Sequence, residues 1–455
     1  MRIRHLPSKI PFPLVDPQLQ SFLSGRIWLE DHLPFLNQTI QYHIKYKLIE
    51  RQSGIQQKRC RRCHSQHLYP FFCSKCQGPC SYCLDCFNMG RISNCSQLVQ
   101  WTGPKIKQSE QPKMTWNGQL TPAQQRVVNE CLAMSTDYLI HAVTGAGKTE
   151  MLFPLIESSL QQGKRVCLAT PRTDVVLELL PRLQQAFQKT EVQAFYGGSG
   201  HPKQYAPLVL ATTHQLLRFE HTFDLILVDE ADAFPYSYDK KLQYAVQKAK
   251  NEKARTIIVT ATPTKKQRQL YLHNKSYSFL ARRFHGADLP TPQYESLWSY
   301  ERKLRKGKLP KKLAQWIQQC LQQKKPFLLF FPTIELMHIA LPLIQAYDAS
   351  IQAVHAKEEL RKPYVQQLRD GQVSGLLTTT ILERGITIAN LQVAIVGAER
   401  RIFHAHALIQ ISGRVGRSKE MPTGQVIFYH HGITKQMDAA CDEIRRLNEI
   451  GDDNG

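Results

Sequence analysis

The chain lacks any apolar run long enough to span a bilayer. Its strongest, Phe327–Phe331, falls far short of the roughly 18–20 residues a spanning helix needs. The N-terminal stretch Met1–Pro17 carries prolines and scattered charges where a secretion signal would carry an apolar core. These two absences predict a soluble chain that stays in the compartment where it is made. No short-period repeat and no low-complexity tract is present either. With 42% hydrophobic, 21% charged and 9% aromatic residues, the composition excludes a disordered protein, a collagen-like fibre and a small disulfide scaffold. Its 455 residues leave room for about two to four domains, each with a core of its own.

Acidic residues are scarce relative to basic ones: 37 Asp and Glu face 59 Lys and Arg, a formal net charge of +22. An excess of that size points to a polyanion, nucleic acid first and an anionic membrane surface second. It is also clustered. Lys58-Arg59 and Arg61-Arg62 flank a cysteine, and Glu301–Lys325 holds nine Lys or Arg against one acid.

Cysteines are distributed unevenly. Of twelve, eight lie between Cys60 and Cys95, and Cys131, Cys167, Cys320 and Cys441 are scattered as small buried apolar residues would be. Paired C-x-x-C units in a basic segment without a secretion signal read as metal ligands rather than bridges. The spacing Cys60-x2-Cys63-x19-Cys83-x2-Cys86 suits four thiolates around one zinc. Two alternatives stay open: Cys73 and Cys76 pairing with Cys60 and Cys63, or a second zinc on Cys73, Cys76, Cys80 and Cys95 in a cross-braced layout. Aromatic residues in the same segment (Tyr69, Phe71, Phe72, Tyr82, Phe87) can stack on bases, but filling a small zinc-fold core is the more usual use.

Three zones follow along the chain. Residues 1–113 form an N-terminal region with the cysteine module at about 58–97, and Thr102–Lys113 has linker composition. Residues 114–285 alternate helical segments with short strands at Tyr138–Ala142, Val166–Thr170, Leu208–Thr212, Leu225–Val228 and Thr256–Thr260. Residues 286–455 begin with a basic connector to about Lys312. They continue with strands at Phe327–Phe331, Ile351–Val354, Gly375–Thr378, Val393–Val396 and Gln425–Tyr429. Strands apolar on both faces belong in parallel sheets covered by helices, so the expected fold is α/β: two stacked α/β domains with a cleft between them.

The chemistry lies at the ends of those strands. After Tyr138–Ala142 comes Ala142-Val-Thr144-Gly145-Ala146-Gly147-Lys148-Thr149, opening a helix at Glu150. The strict phosphate-loop pattern asks for glycine where Ala142 stands, but the chemistry survives. Gly145 and Gly147 let backbone N–H groups curl toward an anion, Lys148 reaches the β and γ phosphates, and Thr149 offers a hydroxyl to Mg²⁺. The strand Leu225–Val228 ends in Asp229-Glu230-Ala231-Asp232, where Asp229 would hold Mg²⁺ and Glu230 would deprotonate an attacking water. Gln410-Ile-Ser-Gly413-Arg414-Val-Gly416-Arg417 places two arginines three apart, on one face if the segment is helical, to neutralise charge on a γ-phosphate. The cluster Thr378-Thr379-Thr380-Ile-Leu-Glu-Arg384-Gly385 suits contacts to a nucleic-acid backbone.

These strings, with Thr121-Pro122-Ala123-Gln124, Thr170-Pro171-Arg172 and Thr260-Ala261-Thr262, resemble in content and order the motifs of superfamily 2 helicases. His141–Met151, Ala211–Leu217, Asp229–Pro235, Arg282–Gly286 and Leu408–Ser418 resemble more closely the ComFA family, the late-competence DNA-uptake ATPases of Gram-positive bacteria. The likeness runs from about Cys60 to the C-terminus. It implies two tandem RecA-like lobes behind a small zinc-binding domain. It also implies an ATP-driven motor on single-stranded DNA, working at the inner face of the membrane with ComFC as a partner and with DprA and the ComEC channel nearby. Carried over, it assigns adenine reading to Gln124 and phosphate and Mg²⁺ binding to Thr144–Glu150. Catalysis falls to Lys148, Asp229 and Glu230, arginine-finger roles to Arg414 and Arg417, and Zn²⁺ to Cys60, Cys63, Cys83 and Cys86. The replication-restart helicase PriA shares the motor motifs and is the alternative reading. Its cysteine cluster lies between the lobes, whereas here the cluster precedes both.

Overall fold

The computed structural model describes residues 14–106, 113–200, 204–355, 361–383 and 388–453. Arg384 and Gly385 lie outside the described residues.

Two parallel sheets organise the motor region. The first has seven strands in the order Val192–Phe195, Leu208–Thr212, Val166–Thr170, Phe223–Val228, Lys250–Thr260, Tyr138–Ala142, Tyr277–Leu280. The second has six, in the order Gln293–Ser296, Val426–His430, Gln392–Val396, Phe327–Phe330, Gly375–Thr378, Gln352–Val354. Every pairing in both is parallel. The central strands are buried along their whole length, as strands covered by helices on both faces must be.

Each strand expected from the sequence is present to within two residues at either end, except that the one expected at Thr256–Thr260 begins six residues earlier, at Lys250. Three more were not anticipated: Val192–Phe195, Tyr277–Leu280 and Gln293–Ser296. All three occupy sheet edges. An edge strand need not be apolar on both faces, so it gives no continuous hydrophobic run to read. The last of them, with the short helix Tyr300–Arg305, lies inside the stretch read as a connector.

The helices follow local chemistry. Pro122–Ala133 starts with proline at its first position and a reciprocal cap between Thr121 and Gln124. Lys311–Gln322 buries Leu313, Trp316, Ile317 and Cys320 on one stripe. A single cluster of buried apolar side chains includes residues of both sheets, from Tyr138 and Ile140 through to Leu328 and Ile395. Among the described residues no helix is long and apolar enough to cross a membrane.

The N-terminal region contains the helices Pro17–Leu23 and Asn37–Lys45, a three-stranded antiparallel sheet with Gln97–Trp101 between Ile27–Leu29 and Ile49–Ser53, and two hairpins that carry cysteines. This region packs directly on the first sheet, because Cys60, Cys63, Cys83, Cys86 and Ile92 share one buried cluster with Val209, Phe223 and Ile226. Polar bonds pin the junction. Arg61 forks onto both oxygens of Glu220 at 2.6 and 2.8 Å, and the Lys248 ammonium donates to the carbonyls of Arg62 and Leu217 at 2.7 Å each. Burial lowers the Lys248 pKa to about 7. Arg26 is almost fully buried, stacked 4.7 Å from the Phe195 ring centroid and 5.3 Å from that of Phe22, so the rings replace part of its lost hydration. Gly25 adopts φ 74°, and a Cβ there would lie 2.4 Å from Thr222, so this approach of chain to sheet needs glycine.

The fork between Arg61 and Glu220 should therefore be a measurable part of the junction. Arg61→Ala is expected to cost about 1.5–3 kcal/mol, the worth of hydrogen bonds to a charged group. In a urea-denaturation cycle with Glu220→Ala, a coupling energy near zero would show that the module is not held to the first sheet at this point.

Candidate ATPase site and cysteine cluster

The first sheet's strand order places three loops side by side. Strands Phe223–Val228, Lys250–Thr260 and Tyr138–Ala142 are neighbours, so the segments leaving their carboxyl ends converge. These segments are Asp229–Asp232, Thr260–Thr262 and Val143–Thr149.

The phosphate loop is shaped by two glycines at positive φ, Gly145 at 81° and Gly147 at 70°. Gly147 caps the helix Lys148–Gln161 in the left-handed conformation, which turns the helix N-terminus toward the cavity. A Cβ at Gly147 would sit 2.4 Å from the Gln124 amide nitrogen. Gln124 packs that tightly because its Nε2 donates to the Ala146 carbonyl at 2.8 Å while its Oε1 accepts from the Thr121 N–H at 2.8 Å. In this conformation both ends of the amide hold the loop. The Glu150 carboxylate pairs with Arg182 on the helix Thr173–Ala186, which fixes the phosphate-loop helix to its neighbour.

Asp229 is buried, and its carboxylate accepts the Glu230 N–H at 2.9 Å. Burial and the adjacent Glu230 carboxylate raise its pKa to about 6, while Lys148 pulls the other way. Glu230 holds φ 53°, a left-handed conformation that costs a non-glycine residue on the order of 1–3 kcal/mol and commonly marks a side chain aimed for function. Asp232 accepts from the hydroxyls of Thr260 at 2.6 Å and Thr262 at 3.0 Å, so the acid segment and the Thr-Ala-Thr segment form one unit.

The second sheet's contribution meets this unit directly. Gln410, on the helix Ala405–Ser412, donates its amide to Asp232 at 2.5 Å across the interlobe boundary. The helix ends at Ser412, so Arg414 and Arg417 stand on the turn that follows it, not on one face of a helix. Gly416 at φ 68° shapes that turn, and Arg417 Nε donates to the Gly413 carbonyl at 3.0 Å. A Cβ at Gly413 would lie 1.9 Å from the Thr144 hydroxyl, so the arginine turn rests on the phosphate loop itself. The segment Arg282–Gly286 ties the two together. The Phe284 N–H donates to the Gly145 carbonyl at 3.0 Å, and Arg283 Nη1 donates to the carbonyls of Val415 and Gly416 at 2.8 and 2.6 Å. Burial lowers the Arg417 pKa, with Glu178 and Glu230 opposing that shift from nearby.

These parts enclose a cavity of about 490 Å³, lined by Gln124, Gly145, Gly147, Lys148, Thr149, Glu150, Asp229, Glu230, Arg414 and Arg417, and also by Thr144 and Gln410. Ala146 is fully buried and only its neighbours face the cavity. Trp116 and Phe284 line it too, two aromatic rings that motif reading gave no role. Asp232, Gln410 and Arg283 were likewise missed. The only sign of them in the sequence was their position inside longer matching strings. The oxygen donors of Thr149 and Asp229 facing one cavity are a donor set suited to Mg²⁺.

The cysteines sort into two groups of four. Cys60, Cys63, Cys83 and Cys86 are all buried, with their sulfurs within 4.8 Å of one another. Cys60 and Cys86 sulfurs lie 3.6 Å apart, and Cys63 and Cys83 sulfurs 3.5 Å, near the roughly 3.8 Å edge of a zinc–thiolate tetrahedron. Arg62 Nη2 lies 3.5 Å from Cys86 Sγ while the guanidinium also donates to the carbonyls of Met89, Cys86 and Gly90, an outer shell that suits a thiolate. The residues thus fit zinc. Cys73 and Cys76 do not join Cys60 and Cys63; they converge with Cys80 and Cys95. The aromatic residues do not form a zinc-fold core. Tyr69, Phe72 and Phe87 are exposed, and Tyr82 is ringed by Tyr69, Phe71 and Phe87 with Arg91 stacked 5.8 Å away.

Comparison with known proteins agrees with this layout. Three family profiles match in order: the competence protein ComFA N-terminal domain over residues 9–100, the DEAD/DEAH box helicase over 121–270, and the helicase conserved C-terminal domain over 308–419. The fold of yeast Dbp5 bound to RNA and ADP BeF3 superposes with a TM-score of 0.55 at 14% identity, covering 72% of this chain and 88% of that one. The chain is 41% identical to competence protein ComFA of Bacillus subtilis, over 95% of its own length and 96% of that protein's. It is 38% identical to ComFA of Streptococcus pneumoniae, over 86% and 90%. A superfamily 2 helicase-type ATPase core behind a ComFA-type N-terminal domain, with two ComFA proteins matching 95% and 86% of the chain, places this chain in the ComFA family of competence proteins.

Proposed function

We propose that the chain is an ATP-driven translocase on single-stranded DNA that draws transforming DNA into the cytoplasm during natural competence. The observation that carries this reading is the cavity in which one lobe's phosphate loop and acid pair meet the other lobe's Arg414 and Arg417.

ATP would bind with its phosphates at the Gly147–Lys148 helix N-terminus. Trp116 and Phe284 offer apolar walls for the base or ribose, and Gln124 holds the loop from behind. Thr149 and Asp229 would hold Mg²⁺, which when bound would supply positive charge against the phosphates. The Glu230 carboxylate accepts a proton from water as the water oxygen attacks the γ phosphorus. The bond to the bridging oxygen breaks, leaving ADP and phosphate. Arg414 and Arg417 stabilise the charge that spreads over the transferring group. Gln410 and Asp232 register whether the lobes are together, so that nucleotide turnover alternates with their separation. Two lobes gripping a phosphate backbone in alternation move it in steps. The excess of 22 positive charges supports a polyanionic track, held mainly through phosphates.

The family likeness supports ComFC as a partner, with DprA and the ComEC channel in reach, and a station at the inner face of the membrane. Zn²⁺ on Cys60, Cys63, Cys83 and Cys86 would fix the module's fold. The exposed rings of Tyr69, Phe72 and Phe87, on a module where Arg91 stacks on Phe71 and Tyr82, favour base stacking over a purely structural use.

Lys148→Ala and Glu230→Gln are each expected to lower ATP turnover by about three orders of magnitude or more, as loss of a core catalytic group does, with circular dichroism unchanged. Near wild-type turnover in either would refute the site. Hydrolysis by the purified chain should be stimulated chiefly by single-stranded DNA. A preference for RNA, or efficient displacement of a duplex strand, would favour the PriA-like unwinding alternative instead. Tyr69→Ala with Phe72→Ala should weaken single-stranded DNA binding by about 1–3 kcal/mol per stacked base lost, measured by fluorescence anisotropy. Unchanged affinity would remove the hairpin from the DNA path.

A further inference from the structure

Cys73, Cys76, Cys80 and Cys95 are left over once the buried four are assigned. Each offers one sulfur, and all four sulfurs lie within 4.8 Å of one another. Cys95 Sγ is 3.5 Å from that of Cys73 and 3.8 Å from that of Cys80. A zinc ion about 2.3 Å from each of four thiolates requires sulfur–sulfur edges of about 3.8 Å, whereas a disulfide would need about 2.05 Å. All four are free thiols. Thiols make weak hydrogen bonds, and four of them have little to gain by converging at a hairpin tip unless something binds them there. We propose that these four cysteines hold a second zinc ion, independent of the first, and that it is the more labile of the two.

The hairpin geometry shows why both sites can be filled together. Strands Leu68–Cys73 and Gly78–Cys83 pair antiparallel with Phe71 opposite Cys80 and Leu68 opposite Cys83. Cys73 and Cys80 are therefore diagonal neighbours on one face, and Cys83, three residues after Cys80, projects from the other. One strand thus delivers one ligand to each group, and no cysteine is shared. Cys76 comes from the turn between the strands.

Cys95 arrives from elsewhere, on the turn two residues before Gln97–Trp101, the central strand of the N-terminal sheet. Ser93 Oγ lies 3.3 Å from its sulfur and can donate to a thiolate. Asn94 Oδ1 accepts the Ser81 N–H at 2.7 Å, bringing the same turn to the hairpin's second strand. A metal ion at this point therefore ties the hairpin tip to the sheet, while the first site holds the hairpin base. The hairpin needs such a tie. An isolated two-stranded hairpin is marginal in water, and this one turns Tyr69 and Phe72 outward where a core would be. The ion pair of Lys75 with Asp31 at the tip is exposed on both sides and adds little.

The two groups differ in access. The first four cysteines are all buried, whereas Cys76 is exposed and Cys95 half-buried. A chelator reaches the outer ion without opening the fold. This inference does not rest on the ATP site.

The test is metal counting on the full chain purified without chelator. Elemental analysis should give two zinc per chain. Release to a metallochromic dye should be biphasic, with one equivalent fast and one slow. Cys76→Ser should leave one zinc per chain and remove the fast phase, with hydrogen exchange increasing over the hairpin 68–83 and not in the first sheet. Native alkylation followed by mass mapping of the wild-type chain provides an answer even if the variant misfolds. Protection of Cys73, Cys76, Cys80 and Cys95 that is lost on chelation supports the proposal. One zinc per chain with these four alkylated at once, or recovery of them as disulfides, overturns it.

Discussion

Two carboxylates side by side, one of them buried, repel each other, and the rest of the motor can be understood as a response. Asp229 is buried beside Glu230, and its raised pKa records the strain of keeping charge there. Lys148 offsets part of it from the phosphate loop. Two further cations sit on a different lobe, on the turn of Arg414 and Arg417, with Glu230 among the charges nearest Arg417. A site whose charges balance only when two lobes meet is one in which nucleotide chemistry and lobe position cannot be independent.

The interlobe contacts are built to make that dependence sharp. Gln410 reaches an acid already committed to Thr260 and Thr262, so opening the lobes disturbs the segments leaving two adjacent strands. Gly413 leaves no room for a side chain against Thr144, and Arg283 clasps the backbone beyond Arg414. These are short-range contacts with steep distance dependence, which suits a switch with two positions better than a graded hinge.

The cysteine region belongs to the same mechanical unit. It shares a buried cluster with the first sheet and is pinned there by Arg61, Lys248 and Arg26, so it travels with the lobe that carries the phosphate loop. An exposed aromatic hairpin mounted this way is held at a set place relative to the phosphate loop.

The sequence by itself determined what is local. Glycines at 145 and 147 before Lys148 dictate a phosphate loop, because only those backbone angles turn successive N–H groups inward. Runs apolar on both faces dictate buried parallel strands, and an acid after such a run sits at the carboxyl end of the sheet. Edge strands escaped notice because water on one side relaxes that pattern. Only the tertiary structure decided the rest: that Gln410 meets Asp232, that Gln124 backs the phosphate loop, that the arginines stand on a turn, and which cysteines converge. In each case the partners are brought together by packing of elements distant in the chain. Residue type and spacing say what a side chain can do, but not which neighbour the folded core will place against it.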